Sequence, residues 1–440
     1  MITIVGGGPG GYTAAIRCSQ LGLPVTVIEK EEIGGTCLNW GCIPGKVFLK
    51  GSKLYSELET GEPYGITVKR SPFDMRRLIE KKEETRQSLV TGLKNVMRSY
   101  DIRIVHGTGK IIDGNTVSVE QEEISSEKVI MATGSVPDVP HLFQELAITY
   151  KEVFELEYVP RSVLVVYGGV FSVELAWFFS EMGSQVYMLH NRLLEKEFAD
   201  IENRISWYLK NKGVEFIEGR ISSIKKRAHK KLVEIKEKEI MVEEVIWMKR
   251  KLCTEGLEHV KSLIKNGKIP VNRSMETDIP DLYAVGDITG SYLAGDAMAQ
   301  AVVAAENAAG NNAVYNTQYI PKVLYAPEAA VVGLTEEEAA QKYDVVKGSF
   351  PFGASGRAQT LGAAQGRVTV LSDKKYGEIL GGYIIGKNAT ELIHVVSFAM
   401  KLEATIDELS QLACAHPTMV EMIRDAGLDI HGTSFNLPKK

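Results

Sequence analysis

The sequence predicts an α/β protein built from two Rossmann-like dinucleotide-binding folds and a C-terminal α+β domain. Three observations predict it. The chain opens with a strand, a glycine-rich turn, a helix, a second strand and an acid, in that order. A second strand–turn–helix series starts near residue 163. At 440 residues the chain has the length of about three domains of ordinary size.

Residues 2–5 (Ile-Thr-Ile-Val) form a short apolar strand. Gly6-Gly7-Gly8-Pro9-Gly10-Gly11 then matches G-x-G-x-x-G. Residues 12–21 read as a helix ending at Gly22, and residues 25–28 as the next strand, closed by Glu29. This is the dinucleotide fingerprint in the context it requires. Glycines let the backbone approach a pyrophosphate at a helix N-terminus, and the acid accepts ribose hydroxyls. Gly6, Gly8, Gly11 and Glu29 are therefore candidate cofactor residues. Residues 47–100 read as helical and polar, with Lys81, Lys82, Glu83, Glu84 and Arg86 on a solvated face. Strands follow at 102–105, 116–119 and 128–131, the last leading into Ala132-Thr133-Gly134-Ser135. Pro137 and Pro140 mark a boundary.

The second series has strands at 163–166 and 185–189, a helix over 200–212, and strands around 214–218 and 232–235. It reads as a smaller nucleotide fold inserted in the first. Its window 163–179 is the most apolar long stretch, but it contains Gly168, Gly169, Ser172 and Glu174 and is short for a membrane span. Strand–turn–helix is the reading. The chain returns to strand at 282–285, before Gly286-Asp287, and an alanine-rich helix covers 297–309. Asn311-Asn312 and the region of Pro321 mark the last boundary. Beyond it come strands at 367–371 and 379–385 and helices at 390–402 and 405–411. The expected domains are 1–139 with 270–316, then 140–269 inserted, then 317–440.

A net charge of −5 and a pI near 6.0 leave no basic footprint for nucleic acid. No membrane partner is expected. Five cysteines are too few for a secreted disulfide scaffold of this length, so a cytoplasmic protein is expected. Residues 1–5 already read as strand, so no leader is expected. Within 34–46, Cys37 and Cys42 stand five positions apart beside the nucleotide turn. A catalytic redox pair, half of a zinc site, or two core cysteines all fit that spacing. Zinc takes about four ligands, and the sequence has no second such pair, so no metal is expected.

Gly34-Gly35-Thr36-Cys37-Leu38-Asn39-Trp40-Gly41-Cys42-Ile43-Pro44 resembles the redox-disulfide motif of the flavin-dependent pyridine nucleotide–disulfide oxidoreductases, the dihydrolipoamide dehydrogenases above all. Ala132-Thr133-Gly134-Ser135, Tyr283-Ala284-Val285-Gly286-Asp287 and His416-Pro417-Thr418 with Glu421 match that family in order. So does the run from Tyr325-Ala326-Pro327-Glu328 to Gly381-Gly382-Tyr383-Ile384-Ile385-Gly386. The resemblance implies FAD in the first fold, held by Gly6, Gly8, Gly11 and Glu29, with Asp287 at the ribityl and phosphate region. It extends the cofactor contacts to Lys30, Gly35, Thr36, Gly107, Thr133, Gly134 and Ala294. It implies a Cys37–Cys42 disulfide, with Cys37 exchanging with the substrate thiol and Cys42 facing the flavin. A bridge needs α-carbons about 4.4–6.8 Å apart, whereas residues five apart in a regular helix are roughly 8–9 Å apart. The bridge therefore demands a distorted turn, for which Gly41 provides, and strain makes it easier to reduce.

By the same resemblance His416 is the base for the substrate thiol, oriented by Glu421 and contributed by the other subunit of a homodimer, whose C-terminal domain is the dimerisation domain. Lys46 stands by the flavin and pairs with Glu174. The implied substrate is lipoamide or another small dithiol or disulfide, with the lipoyl domain of a 2-oxoacid dehydrogenase complex as a partner. Leu38-Asn39, Ile43-Pro44 and the lack of a substrate-binding extension at either end point to lipoamide. Cys414 departs from the pattern, because many dihydrolipoamide dehydrogenases carry a histidine there.

The second fold departs further. Its turn reads Tyr167-Gly168-Gly169-Val170-Phe171-Ser172, so tyrosine and serine replace the first and third glycines and only Gly169 remains. A tyrosine is awkward where a glycine supplies backbone freedom. The acid at the end of the next strand is His190, and the family's glycine-arginine-x-proline-asparagine appears as Lys249-Arg250-Lys251-Leu252-Cys253. Three expectations stand side by side: NAD on a rearranged turn through Gly169 and His190; NADP, its 2′-phosphate met by His190, Arg192 and Lys196; or no dinucleotide, with another electron partner or a non-catalytic role in assembly.

Overall fold

The computed structural model describes residues 1–58, 61–68, 72–120, 122–236 and 238–438. The apolar run Ile2–Val5 (β1) has no polar face to offer solvent, and all four residues are buried in a parallel sheet. The sheet order is Leu282–Ala284, Lys128–Met131, β1, Val25–Glu29 (β2), Arg103–His106. Every neighbouring pair in it is parallel. Between β1 and β2 runs α1 (Pro9–Gln20), begun by a proline in the first turn, where its missing N–H costs no helix bond. Ala14 and Ala15 of α1 share a core with Ala301, Ala304 and Ala305 of the helix Ala294–Ala308. Small side chains on both faces let these helices pack closely.

The chain packs as two compact units: Met1–Val166 with Arg220–Asn316, and Tyr167–Gly219 with Thr317–Lys440. Besides the first nucleotide fold, the first unit holds the parallel strands Ser162–Val166, Glu244–Trp247 and Ile148–Thr149. It also holds an antiparallel ribbon of Ile221–Arg227, Lys230–Ile235 and Lys238–Val242. Only the middle strand of that ribbon was legible in the sequence, because lysines crowd its solvent face and blur the alternation.

The second unit carries the helix Val170–Glu181, the parallel pair Gln185–Leu189 and Glu215–Ile217, and the helix Ala199–Asn211. Its C-terminal part is an antiparallel sheet in the order Lys322–Tyr325, Glu328–Gly333, Ile379–Ile385, Arg367–Asp373, Val345–Pro351. The helices Ala389–Lys401 and Glu421–Ile430 cover it around Val368, Val370, Ile384, Ile393 and Met422. Among the described residues no helix is long and apolar enough to cross a membrane.

The described residues of the polar stretch 47–100 are largely helical, as expected. They divide into α3 (Cys42–Glu57), a single turn at Glu62–Tyr64 and the long helix Met75–Ser99. Lys82, however, is not on a solvated face: it is 3% exposed, and its ammonium donates to Glu155 at 2.5 Å. Burial of its aliphatic stem, which charge runs in a sequence do not report, explains the difference.

Candidate active site

The first turn is built for close approach. Gly6 has φ +106, and a Cβ there would lie 2.2 Å from the Ala132 carbonyl oxygen. A Cβ on Gly11 would lie 1.8 Å from the oxygen of Gly6, so helix and turn touch backbone to backbone. A Cβ on Gly8 would meet only the Gly35 α-carbon, at 3.8 Å, which leaves an open cradle at the start of α1. Glu29 closes β2 and is held by the amides of Gly7 (2.6 Å) and Glu31 (2.8 Å). Gly107 donates to the Glu29 carbonyl at 3.0 Å. Lys30 pairs with Glu255 at 2.5 Å. Gly134 (φ +70) has open space where a Cβ would stand, and the Cys253 amide donates to its carbonyl at 3.0 Å. Thr133 donates to the carbonyl of Cys253 at 3.3 Å. Asp287 accepts from Ser135 at 2.5 Å and from Arg250 at 3.0 Å. Ala294 opens its helix. An open glycine cradle, a fixed acid and a second carboxylate fit a flavin dinucleotide.

Two residues here escaped sequence reasoning. Arg250 stands in the altered run Lys249–Cys253, yet it pairs with Asp287 and lies 4.8 Å over the Tyr292 ring. Tyr150 is fully buried, and burial pushes its phenol up to about 12 against the opposing pull of Arg250. Nothing in the sequence around Tyr150 signals it.

The helix carrying the cysteines is broken. The short helix Gly35–Asn39 (α2) ends at Trp40, and Gly41, with φ −128 and ψ −99, turns the chain into α3. Cys37 lies in α2 and Cys42 opens α3, and the two are free thiols here, the reduced form of the pair and not the disulfide that the resemblance implies. The neighbouring Cys42, then burial, push the Cys37 thiol up, while the Lys46 ammonium pulls the other way. Cys42 sits at a helix N-terminus, which favours a negative charge. Of the two sulfurs, that of Cys42 is the one placed at a helix N-terminus. Among the described residues no three metal-ligating side chains gather into a group.

In the second unit, His416 precedes Pro417 through a cis peptide bond. Its Nδ1 lies 2.9 Å from Glu421 Oε1, and the Thr418 amide donates to Glu421 Oε2 at 2.8 Å. Burial pushes the Glu421 carboxyl up, but the bonds from His416 and Thr418 outweigh it and hold it below the ordinary carboxylate range. With Nδ1 donating, Nε2 is left as the basic nitrogen of an imidazole that is 79% exposed. Glu174 is buried and accepts from the Tyr325 amide at 3.0 Å. Lys46 and Glu174 belong to different units.

Two family models cover most of the chain: the pyridine nucleotide-disulphide oxidoreductase model over residues 1–308, and that family's dimerisation domain over residues 320–426. The chain belongs to the pyridine nucleotide-disulphide oxidoreductase family. Dihydrolipoyl dehydrogenase of Zymomonas mobilis is 32% identical, over 99% of this chain and 98% of that protein. Dihydrolipoyl dehydrogenase of Bacillus subtilis is 33% identical over the same shares. The crystal structure of LpdA from Mycobacterium tuberculosis superposes with a TM-score of 0.91 at 24% identity, over 98% of this chain and 99% of that one. As a member of this family the chain is an FAD-dependent disulfide oxidoreductase, and its C-terminal domain forms a homodimer.

The family's second dinucleotide fold keeps the path of the turn here but carries other side chains on it. Tyr167 adopts φ +86, the left-handed region that Gly6 occupies in the first fold. Ser172, at the place of Gly11, is buried and donates to the Gly168 carbonyl at 3.0 Å. A side chain is accommodated there, where a Cβ on Gly11 would meet the Gly6 oxygen. His190 follows the strand Gln185–Leu189, packs edge-on against Phe216 at 5.2 Å, and has a buried Nδ1 with no hydrogen-bond partner among the described residues. Lys196 pairs with Glu338 at 3.3 Å.

Proposed function

We propose that this enzyme carries out dithiol–disulfide exchange of the dihydrolipoamide dehydrogenase kind, with Cys37 and Cys42 as its redox pair and His416 of the partner subunit as the base. The observation that carries the reading is the cysteine pair at a broken helix beside the flavin cradle, its second member at a helix N-terminus. A substrate thiol gives its proton to His416 Nε2, and Glu421 steadies the imidazolium that results. The substrate thiolate attacks the Sγ of Cys37. The Cys37–Cys42 bond breaks and its electron pair stays on the Cys42 sulfur, where the helix N-terminus favours it. The second substrate thiol, deprotonated in turn, attacks the substrate sulfur of the mixed disulfide. The substrate leaves as a disulfide, and the cysteines, taking up the two protons, stand as a dithiol. FAD, when bound, accepts the electron pair from that dithiol.

The exposure of His416 within one protomer supports its use across a dimer interface, where a partner's cysteines cover it. Around the cradle, Gly6, Gly8, Gly11, Glu29, Lys30, Gly35, Thr36, Gly107, Thr133, Gly134, Asp287 and Ala294 hold the cofactor in this reading, and Lys46 flanks the flavin. The same reading takes residues 1–139 with 270–316 as the FAD domain, 140–269 as an inserted fold and 317–440 as the dimerisation domain. It takes dihydrolipoamide, free or on a lipoyl domain, as the dithiol, and the cytoplasm as the place of work.

Anaerobic titration of the FAD-loaded dimer with dihydrolipoamide tests it. One equivalent is expected to raise a long-wavelength thiolate–flavin absorbance, which Cys42→Ser abolishes. The same titration of Cys37→Ser is expected to leave the flavin unreduced. Flavin reduction at the wild-type rate in either variant ends the disulfide reading. Reduction by glutathione in preference to dihydrolipoamide ends the substrate assignment alone.

A further inference from the structure

The chain contains its own control for the second nucleotide fold. In the first, the Gly6 amide donates to the Ile28 carbonyl at 2.8 Å; in the second, the Tyr167 amide donates to the Leu189 carbonyl at 2.7 Å. These equivalent bonds place the two folds in register. Gly6 answers to Tyr167, Gly8 to Gly169, Gly11 to Ser172, Glu29 to His190 and Gly34 to Glu195.

At the cradle the two folds differ in kind. Gly8 faces open space bounded by Gly35. Gly169 instead faces a carboxylate: Glu195 Oε1 lies 3.1 Å from where a Cβ on Gly169 would stand. The segment bearing Glu195 is tied over the turn. The Gly169 amide donates to the Leu193 carbonyl at 2.7 Å, and the amides of Leu193 and Leu194 both donate to Glu202, at 2.9 and 3.1 Å. A Cβ on Gly168 would lie 2.0 Å from the Arg192 carbonyl oxygen, so this segment sits directly on the turn.

We infer that the Glu195 carboxylate takes the place of a dinucleotide pyrophosphate at the turn Tyr167–Gly169, and that the second fold of this chain binds neither NAD(H) nor NADP(H). A helix N-terminus attracts one anion. With an internal carboxylate already at that point, a pyrophosphate meets repulsion and an occupied volume. The ribose end agrees. His190 has replaced the acid that accepts the hydroxyls, and burial holds its imidazole below the ordinary histidine range, against the pull of Glu202 and Glu218. It presents no anion to a ribose and no cation to a 2′-phosphate, and the two nearby glutamates repel the latter. Lys196 is engaged by Glu338.

This inference does not rest on the dithiol chemistry proposed above, and one set of preparations separates the two. The FAD-loaded wild-type dimer is titrated calorimetrically with NADH and with NADPH, each to 1 mM. Neither is expected to give saturable binding. A Kd below about 100 µM for either overturns the inference. Two variants, Glu195→Gln and the combination Tyr167→Gly, Ser172→Gly, Glu195→Gly, are loaded with FAD and checked for cooperative unfolding. The combination restores the glycines of the first fold. Tenfold or greater gain in NADH or ADP-ribose affinity is expected in at least one of them. If both fold and neither binds better than wild type, Glu195 is not the block and the inference fails. Flavin reduction by dihydrolipoamide in the same samples reports the disulfide half-reaction independently, so its failure counts against that reading only.

Discussion

Exchanging Glu421 for glutamine keeps an oxygen acceptor for the Thr418 amide and removes the charge that faces His416. The Nδ1–Oε1 contact is 2.9 Å. Once His416 takes the substrate proton, this bond joins a cation to an anion, worth about 1.5–3 kcal/mol, against about 0.5–1.5 kcal/mol for a neutral bond. The difference, about 1–1.5 kcal/mol, arises only as the proton moves, so it belongs to the barrier and not to substrate binding. His416 is 79% exposed in the protomer, so screening favours the lower figure. At about 1.36 kcal/mol per factor of ten, Glu421→Gln is expected to slow flavin reduction about five- to tenfold. The assay is anaerobic stopped-flow mixing of the FAD-loaded dimer with dihydrolipoamide, followed at the flavin band. The limiting rate should fall while the dithiol concentration at half-saturation stays the same, and Glu421→Asp should recover part of the loss. A limiting rate equal to wild type, or a loss confined to half-saturation, would refute the orienting role of Glu421.

Three further substitutions probe the fold around the sites. Gly11→Ala forces a Cβ to within 1.8 Å of the Gly6 oxygen, and overpacking of that kind costs about 1–3 kcal/mol or more; the purified protein is expected to carry markedly less than one flavin per chain, read from its absorbance ratio. Tyr167→Gly relieves a left-handed side-chain residue at φ +86, worth about 1 kcal/mol, so a small rise in Tm is expected, and a fall would mean that the tyrosine ring packs more strongly than its half exposure indicates. Lys322→Met removes a partner 2.6 Å from Glu197, where the side chains are 15% and 29% exposed. Burial pushes the Glu197 carboxyl up, but the bond from Lys322 outweighs it and holds the carboxyl below the ordinary range. A lowered acid contributes stability that is present above its unfolded value, about 4.5, and is lost as pH falls through the folded value. Urea unfolding should show Lys322→Met weaker by about 1–2 kcal/mol at pH 7, with the gap closing below about pH 4.5; an unchanged gap at pH 3.5 would mean that packing and not charge is at stake.

Much of the first fold was legible because its signals are local. The boundaries of Ile2–Val5, Thr116–Val119, Lys128–Met131, Gln185–Leu189 and Ile379–Ile385 are those the sequence predicts, since each is a short apolar or alternating run flanked by turn or polar residues. The strands Ile221–Arg227 and Lys238–Val242 escaped because charged residues fill their exposed faces and only Ile224, Ile240 and Val242 among them are buried. Lys82 was misread for the converse reason: its charge is local, and its burial against Glu155 is not.

By itself the sequence determined the order of the elements, the glycine cradle with its acid, the helix break that Gly41 makes between Cys37 and Cys42, and the family. These follow from periodicity, from backbone freedom and from chemistry over a few residues. It also showed that the second glycine turn was altered, but not with what consequence. Only the tertiary structure decided that Arg250 meets Asp287, that Tyr150 lies buried near Thr36, and that the Glu195 carboxylate lies against Gly169. Each of these joins residues from separate elements, and strand register and loop path bring such residues together, neither of which leaves a mark in the neighbouring sequence.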